Sequence, residues 1–451
     1  MSLALVKRLL GPLAIMASSA AGASDDAGAR TTALWGNGYT TTTGFLDLRS
    51  AVGLGSSDQA AGAGGLKSAI DTGYKGRGRF ELDHQWDTTR LVLSADVELQ
   101  RQKMRGAGDE NDQAARLWEG YLEVETDAVV WRLGRQVIQW GVADEVSVID
   151  SFTPQDFRYF LVQSRFERKW PVTAVSGKYA LNAKDFIEVI WLPRFREDLL
   201  ARPGDEWSLF VENNYVRGLG LRERSSATED GRLGDSVFAV RSVTRRDTFD
   251  FSLNYAYHFE QLAAFEADIE GVDSNGRYVG SVRPYHARQQ TFSMAFETGR
   301  EGVGLRGELA YVTDSGFVTY DMNVPGLVER RDTVRAVAGV DYTFASRTYV
   351  NVQYTADYIE KHNGLMQPDK LRSSITFRLN VPLAGEDVWL EFQGREFLNM
   401  TDRFMRLQVR WRVTDDWEVR GGGLHFAGAD EGIFGQFRDN DQLYAGVHYF
   451  F

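Results

Sequence analysis

The chain contains no cysteine, only 9 proline and 6 histidine residues among 451, and no long uninterrupted apolar run. Without cysteine there are no disulfide bridges and no thiolate metal sites. A helix that spans a bilayer needs about 20 apolar residues in succession, so such a helix is excluded as well. The histidines are scattered without a His-x-x-x-His spacing, and we therefore expect no metal site and no cofactor.

Positive charge is also in short supply. The sequence has 51 Lys and Arg against 63 Asp and Glu, which gives a formal net charge of -12. This balance argues against nucleic acid as a partner. No Gly-x-Ser-x-Gly turn or other nucleophile arrangement is present, so an enzyme is not expected.

The N-terminus has the features of a secretory signal. Lys7 and Arg8 are followed by the apolar run Leu9 to Ala17 and by the small residues Ala21-Gly22-Ala23. This order predicts a signal peptide over residues 1–23. An N-terminal membrane anchor is the alternative, but the apolar run is too short for it.

Aromatic residues are plentiful and alternate with polar ones. The chain has 11 Trp, 18 Tyr and 27 Phe, and in residues 249–259 apolar and polar side chains alternate except at Ala256. A strand with one lipid-facing and one polar face has this period, and so does a soluble β-sandwich, whose strands are usually shorter. Long alternating segments therefore favour a transmembrane barrel.

Eighteen such segments follow one another, and short and long connections alternate between them almost throughout. We therefore predict an all-β fold, a transmembrane antiparallel β-barrel of 16–18 strands, with eighteen favoured, over residues 43–451. Residues 24–42 are expected to form a periplasmic N-terminal segment. The predicted strands are 43–55, 76–86, 91–104, 115–126, 128–140, 172–181, 185–195, 234–245, 248–261, 285–298, 303–317, 331–345, 347–361, 370–383, 387–398, 403–414, 417–428 and 440–451.

The last predicted strand also indicates where the protein is located. Leu443, Ala445, Val447, Tyr449 and Phe451 share one face, and the chain ends on an aromatic residue. This strand resembles the closing strand of outer-membrane barrels in Gram-negative bacteria. The resemblance implies that Tyr449 and Phe451 are an assembly signal. It also implies the outer membrane as location, with lipids, lipopolysaccharide and the assembly machinery as partners, and it leaves a homotrimer open.

The polar faces of the strands differ between the two ends of the chain. Early strands place Glu81, Asp83, Asp96, Glu98, Glu123 and Glu125 on that face, and late strands place Arg378, Arg395, Arg406, Arg410 and Arg412 there. Opposed acidic and basic walls would create a field across the lumen. The alternative is that these charges pair with near neighbours in a water-poor interior.

The third outer loop, residues 141–171, is long and rich in apolar residues. Thr153, Pro154 and Asp156 form a helix-start pattern. General porins fold their third outer loop into the lumen, where it supplies acidic side chains. We expect the same part here for Asp144, Glu145, Asp150 and Asp156, and the alternative is a lid packed over the mouth.

A short motif precedes this loop. It consists of Gly134, Arg135, Gln136, Trp140 and Gly141, followed by an acid, Val-Ile-Asp and Pro-x-Asp. It resembles a large group of proteobacterial outer-membrane barrels that is known only as a domain of unknown function and is distantly similar to alginate-export and substrate-specific porins. The resemblance implies passage of a hydrophobic or anionic molecule. For Arg135 and Trp140 a structural role, as strand anchor and interface aromatic, stays open.

Three function classes remain. A diffusion channel or substrate-selective porin for small, anionic or hydrophobic solutes is preferred because of the polar lumen and the third loop. A dedicated export or import conduit for a lipid-like or polymeric substrate, working with periplasmic partners, is the alternative. A barrel enzyme or an adhesin is the third.

Overall fold

The computed structural model describes residues 30–32, 38–54, 70–104, 109–201, 207, 222–223, 233–274, 278–429 and 432–451. These residues form a closed antiparallel barrel of eighteen strands, which confirms the predicted fold class and the favoured strand number. The predicted signal peptide, residues 1–23, lies outside the described residues. Within the described ranges, no helix is long and apolar enough to cross a bilayer.

The strands follow one another around the barrel in chain order. A further short strand, Arg30–Thr32, pairs with Thr40 to Thr42 near the start of the first barrel strand. The barrel strands are β1 Tyr39–Gly53, β2 Ile70–Trp86, β3 Thr89–Met104, β4 Asp109–Glu125, β5 Val129–Gln136, β6 Val172–Ala180, β7 Asp185–Leu192, β8 Val237–Arg245, β9 Phe249–Phe259, β10 Arg288–Arg300, β11 Val303–Val318, β12 Val328–Thr343, β13 Tyr349–Ile359, β14 Leu371–Ala384, β15 Val388–Phe397, β16 Asp402–Arg412, β17 Trp417–Gly428 and β18 Gln442–Phe450.

The outer surface of the barrel is apolar because alternate side chains of each strand point outward. Large residues such as Leu253, Phe292 and Leu407 are about half exposed there. Aromatic rings gather where the strands meet the short turns, as expected for a membrane-water boundary. These rings include Trp131, Tyr342, Trp411, Trp417 and Tyr449.

The last strand closes the barrel on the first. Residues 442–450 of β18 pair with residues 45–53 of β1. Phe451 continues this ladder, because its N–H donates to the carbonyl of Gly44 (3.1 Å) and its carbonyl accepts from the N–H of Gly44 (2.9 Å). The Tyr449 ring packs on Trp417 with 4.7 Å between centroids. Phe451 is therefore part of the seam.

One predicted long loop contains a hairpin. Residues 262–284 connect two predicted barrel strands, and within this connection Ala264–Val272 and Tyr278–Tyr285 pair as antiparallel strands outside the barrel sheet. The hairpin buries Phe265, Ala267 and Val282 against Leu327 from a neighbouring outer loop. Its alternation was present in the sequence, but the segment does not belong to the barrel wall.

The orientation of the barrel can be tested with single cysteines, since the native chain has none. Ser274 lies in the outer hairpin turn and Ala183 in the short turn between β6 and β7, and both are exposed. A membrane-impermeant maleimide is expected to label Ser274→Cys on intact cells and Ala183→Cys only after permeabilisation. Labelling of Ala183→Cys on intact cells would contradict this orientation.

Candidate functional site: an inward loop and a basic cavity

The chain leaves the barrel wall where the motif begins. Gly134 has a φ of +129°, and a Cβ there would lie 2.3 Å from the carbonyl oxygen of Gly120 on β4. Only glycine fits a close approach in this backbone conformation. The pairing of β4 with β5 ends one residue later, at Gly120 opposite Arg135. Gly134 thus lets the chain turn out of the wall.

The next two motif residues bond to the strands on either side. Arg135 Nε donates to the carbonyl oxygens of Leu117 (3.1 Å) and Trp118 (2.9 Å) on β4. Gln136 Nε2 donates to the carbonyl of Ala174 on β6 (3.2 Å). Backbone groups that lose a strand neighbour need such partners. The structure therefore places Arg135 and Gln136 in the wall, at the point where the loop departs.

Trp140 and Gly141 fasten the start of the loop to its own middle. Their N–H groups donate to Asp150 Oδ1 at 2.7 and 3.1 Å. The Trp140 indole N–H donates to Glu188 on β7 (3.1 Å), and its ring packs edge-on against Phe152. A Cβ on Gly141 would lie 2.0 Å from the Ser147 hydroxyl, so the close approach requires glycine.

Asp150 is the centre of a buried ion cluster. Its Oδ2 accepts a hydrogen bond from Arg165 and lies 3.1 Å from Lys169 Nζ, and all three side chains are almost fully buried. Burial by itself would raise the pKa of Asp150. The charges of Lys169 and Arg165 and the two backbone N–H groups outweigh this effect and hold that pKa below its ordinary value. Asp150 therefore stays ionised and ties the two halves of the loop together.

The first half of the loop packs on an apolar inner surface of the barrel. Ile138, Trp140, Val148, Ile149 and Phe152 of the loop are buried there. Sequence reasoning missed this surface, although its small apolar residues were visible at positions that alternate as inward-facing. The wall side consists of Val172, Ala174, Ile190, Leu192, Val237, Ala239, Ala256, Ala295, Ala310, Val312 and Val337.

The tip of the loop reaches side chains on the far wall. Asp144 bonds to Arg306 on β11 (2.6 Å) and to Asn351 on β13 (2.7 Å). Glu145 pairs with Arg378 on β14 and accepts a hydrogen bond from Gln393 on β15. These contacts hold the tip across the lumen.

One wall residue that sequence reasoning missed receives three donors from the same tip. Glu308 on β11 accepts from the N–H groups of Ala143 and Val148 and from the Ser147 hydroxyl, each at 2.8 Å. A buried carboxylate is stable only with such partners. A glutamate on an inner face of small apolar residues was the signal that could have identified it.

The helix predicted to start at Thr153 is absent. The Thr153 hydroxyl accepts from Lys169 Nζ (3.3 Å) instead of capping a helix. The backbone around Asp156 is extended. The Asp156 N–H donates to the carbonyl of Arg168 (2.7 Å), and the Phe157 N–H donates to the carbonyl of Leu199 (2.7 Å). Asp156 itself pairs with Arg158 (2.7 Å). The loop has a single helical turn, Arg165–Arg168, further along.

The space left beside the second half of the loop is a cavity of about 800 Å³. Its walls come from β1 to β4, from β15 to β18 and from the loop. Among its lining residues, Lys and Arg outnumber Asp and Glu by eight to four. The basic ones are Arg49, Lys75, Arg77, Arg79, Lys169, Arg406, Arg410 and Arg420, and the acidic ones are Asp47, Glu119, Glu167 and Glu391.

The predicted arginines of the late strands lie in different places. Arg406 and Arg410 line the cavity, whereas Arg378 is paired with Glu145 of the loop. Arg395 is half-buried beside Ser374, towards the C-terminal end of β15, and Arg412 is exposed at the C-terminal end of β16. In the part of the chain that the structure describes, no group of three or more His, Asp or Glu is placed to hold a metal ion.

The early acidic residues are largely neutralised by neighbours. Asp96 pairs with Arg77 (2.7 Å) and Arg79 (2.6 Å). Glu98 lies 3.2 Å from Lys75 and also pairs with Arg116. The geometry on this side matches local pairing rather than an open acidic wall. Lys75, Arg77 and Arg79 of the cavity lining therefore carry paired charges, whereas Arg406 on the other side of the cavity bonds to neutral groups.

A closed barrel of this size, with an inward loop and a polar cavity, has the architecture of a porin-type barrel. The family profile described as "Protein of unknown function (DUF1302)" matches residues 95–451. The chain therefore belongs to this family, which confirms the family resemblance seen in the sequence. No curated protein matches it.

Solved porin structures share the fold. OccAB1 of Acinetobacter baumannii has a TM-score of 0.53 at 10% identity, over 94% of this chain and 99% of that chain. OccAB3 of the same organism gives 0.51 at 8% identity, over 91% and 99%. OccD3 (OpdP) of Pseudomonas aeruginosa gives 0.50 at 8% identity, over 93% of both. At these identities the likeness concerns the fold alone.

Proposed function

We propose that the protein is an outer-membrane channel for small anionic solutes, which pass through the basic cavity. One observation carries this proposal, namely that Arg406 lines the space that the inward loop leaves and bonds there to neutral oxygen atoms. The loop occupies the side of β6 to β13 through its apolar and polar contacts. Solute is therefore directed along β1 to β4 and β15 to β18.

Arg406 is the cation best placed to act on a solute. Its guanidinium bonds to the carbonyl oxygen of Val162 (3.3 Å) and to the amide oxygen of Gln393, both of which are neutral. Arg410, in contrast, is balanced by Glu391 (2.7 Å) and Glu418 (3.4 Å). A cation that is bonded to neutral groups, as Arg406 is among the described residues, attracts anions more strongly in a narrow passage than a paired one. Arg406 should therefore dominate selectivity.

The second candidate, a conduit for a lipid-like substrate, is favoured by aromatic rings at the outer end of the cavity. The ring centroid of Phe160 lies 6.3 Å from that of Trp207, which lines the cavity, and 4.5 Å from that of Phe437. Such rings would accommodate an apolar body beside the arginines. Conductance measured in planar bilayers separates the two candidates, because a dedicated conduit is expected to conduct salt poorly.

Reversal potentials in planar bilayers under a salt gradient test the proposal. Arg406→Ala is expected to lower the anion-to-cation permeability ratio by about three- to tenfold, because a cation facing the passage is lost. Arg412→Ala is the matched control, since it removes an arginine from the same strand outside the cavity and should leave the ratio unchanged. Equal ratios for wild type and Arg406→Ala would refute the anionic pathway.

A further inference from the structure

The barrel wall has a gap between β4 and β5. Strand β4 pairs with β3 as far as Lys103 opposite Asp109, but with β5 only between residues 120 and 125. At about 3.3 Å per residue and a tilt of about 45°, this second pairing covers roughly 12 Å of height. The apolar band of such barrels is about 25 Å tall. The gap therefore begins about halfway through the membrane.

Side chains, rather than a neighbouring strand, cover the edge of β4 at the gap. Arg135 donates to the carbonyls of Leu117 and Trp118, as described above. Glu119 accepts from the N–H of Val137 (2.8 Å), where the chain turns inward. Natural sheets often cover edges in this way. A side-chain cover differs from a strand ladder in that it can move without breaking the sheet.

Two tryptophans pack together beside the gap. Trp118 of β4 and Trp170 at the end of the loop are each 5% exposed and pack edge to face, with 5.2 Å between ring centroids. Arg116 and Arg158 lie over the Trp170 ring at 5.0 and 5.6 Å. The Trp170 indole N–H is buried and has no hydrogen-bond partner among the described residues. Hydrogen bonds to neighbours therefore do not hold this ring in place.

The two sides of this tryptophan pair face different surroundings. On the inner side, Trp118, Glu119 and Val137 line the basic cavity. On the outer side, Leu117 is 52% exposed on the lipid-facing surface of β4. Among the described residues, Trp118, Trp170 and Arg135 thus lie at the gap between the cavity and the lipid-facing surface.

We propose that this gap is a lateral gate, and that displacement of Trp170 connects the cavity with the bilayer for a solute that has an apolar body. Such a solute enters the cavity from one end and leaves sideways into the outer half of the membrane, or moves in reverse. Small hydrophilic anions do not need this route. The gate is therefore independent of the ion pathway proposed above.

Fluorescence quenching by lipid tests the gate. A cysteine at Val137 is labelled with an environment-sensitive fluorophore, and the protein is reconstituted in phosphatidylcholine vesicles that contain doxyl-labelled acyl chains. We expect Trp170→Ala to increase quenching at position 137 at least about twofold, because the ring that separates the label from lipid is gone. The same label at Leu117 gives the quenching expected for full lipid contact. At Gln408, on the opposite cavity wall, quenching of the label should not change with Trp170→Ala.

The gate is refuted if quenching at position 137 stays at the level of position 408 in both wild type and Trp170→Ala. If Trp170→Ala does not insert, Trp170→Phe takes its place, and a smaller increase is expected because a smaller ring remains. No increase with a heat-modifiable Trp170→Phe protein would equally refute the gate. Salt conductance of the same preparations reports the ion pathway separately, so failure of one proposal is distinguishable from failure of the other.

Discussion

Replacing Asp150 with asparagine is expected to convert a steady channel into a wider and noisier one. The amide keeps an oxygen for the N–H groups of Trp140 and Gly141, but it leaves Arg165 and Lys169 buried without their counter-charge. Removal of one partner from a buried ion cluster costs about 3–5 kcal/mol. The barrel strands do not depend on this cluster, so the cost falls on the loop, which should leave the lumen for part of the time.

Single-channel recording measures this effect directly. Asp150→Asn is expected to increase mean conductance about twofold and to add transitions between levels, because the loop no longer fills a fixed part of the lumen. Asp247→Asn is the matched control, since it breaks an exposed pair with Lys184 between two short turns and such pairs contribute little. An Asp150→Asn channel that is indistinguishable from wild type would show that other contacts hold the loop.

Acid should increase the conductance as Asp150→Asn does only at very low pH. The pKa of Asp150 is lower in the folded protein than its ordinary value. A lowered carboxylate pKa stabilises the folded loop at neutral pH, and this contribution is lost only as the pH falls through the lowered value. We therefore expect that mild acid does not protonate Asp150 and does not change the wild-type conductance through this residue.

The barrel could be predicted from the sequence because each strand repeats one simple pattern. Alternation identified all eighteen barrel strands, although their ends differ by up to six residues. For example, β5 was expected over residues 128–140 and ends at Gln136, because the positive φ of Gly134 and the inward turn are not encoded in alternation. The membrane imposes a strong, periodic constraint, and strand patterns report it well.

The inside of the barrel was much less predictable. Sequence indicated which acids lie on the third loop, but the partners of Asp144 and Asp150 depend on contacts between residues far apart in the chain. The local helix-start pattern at Thr153 was misleading, because the hydroxyl bonds to Lys169 and the backbone pairs with Leu199. Local propensity is a weak signal when tertiary hydrogen bonds compete with it.

The role of the motif also becomes clear only in three dimensions. Gly134, Arg135, Gln136, Trp140 and Gly141 lie where the chain leaves the wall and folds back on Asp150. The spacing identified the segment, but not the gap that Arg135 covers. These residues position the loop, and substrate contact is not needed to explain them.

Deletion of Phe451 is expected to lower the membrane-inserted fraction of the protein severalfold in cells. The residue has two separable roles. Its backbone makes two hydrogen bonds to Gly44 in the seam, each with a net contribution of about 0.5–1.5 kcal/mol. Its ring lies beside Gly44 and near Tyr449, with 6.0 Å between the aromatic centroids.

Substitutions separate the backbone of Phe451 from its ring. Phe451→Ala keeps the two backbone hydrogen bonds and removes the ring, while Phe451→Tyr keeps both. If the assembly machinery reads the terminal aromatic, Phe451→Ala should insert about as poorly as the deletion, and Phe451→Tyr should insert as well as wild type, measured as the heat-modifiable fraction in isolated membranes. Refolding of Phe451→Ala into detergent micelles without the machinery should remain close to wild type, because the seam keeps its hydrogen bonds. Normal insertion of Phe451→Ala in cells would show that the ring is not the signal, and poor refolding in detergent would assign the loss to the seam itself.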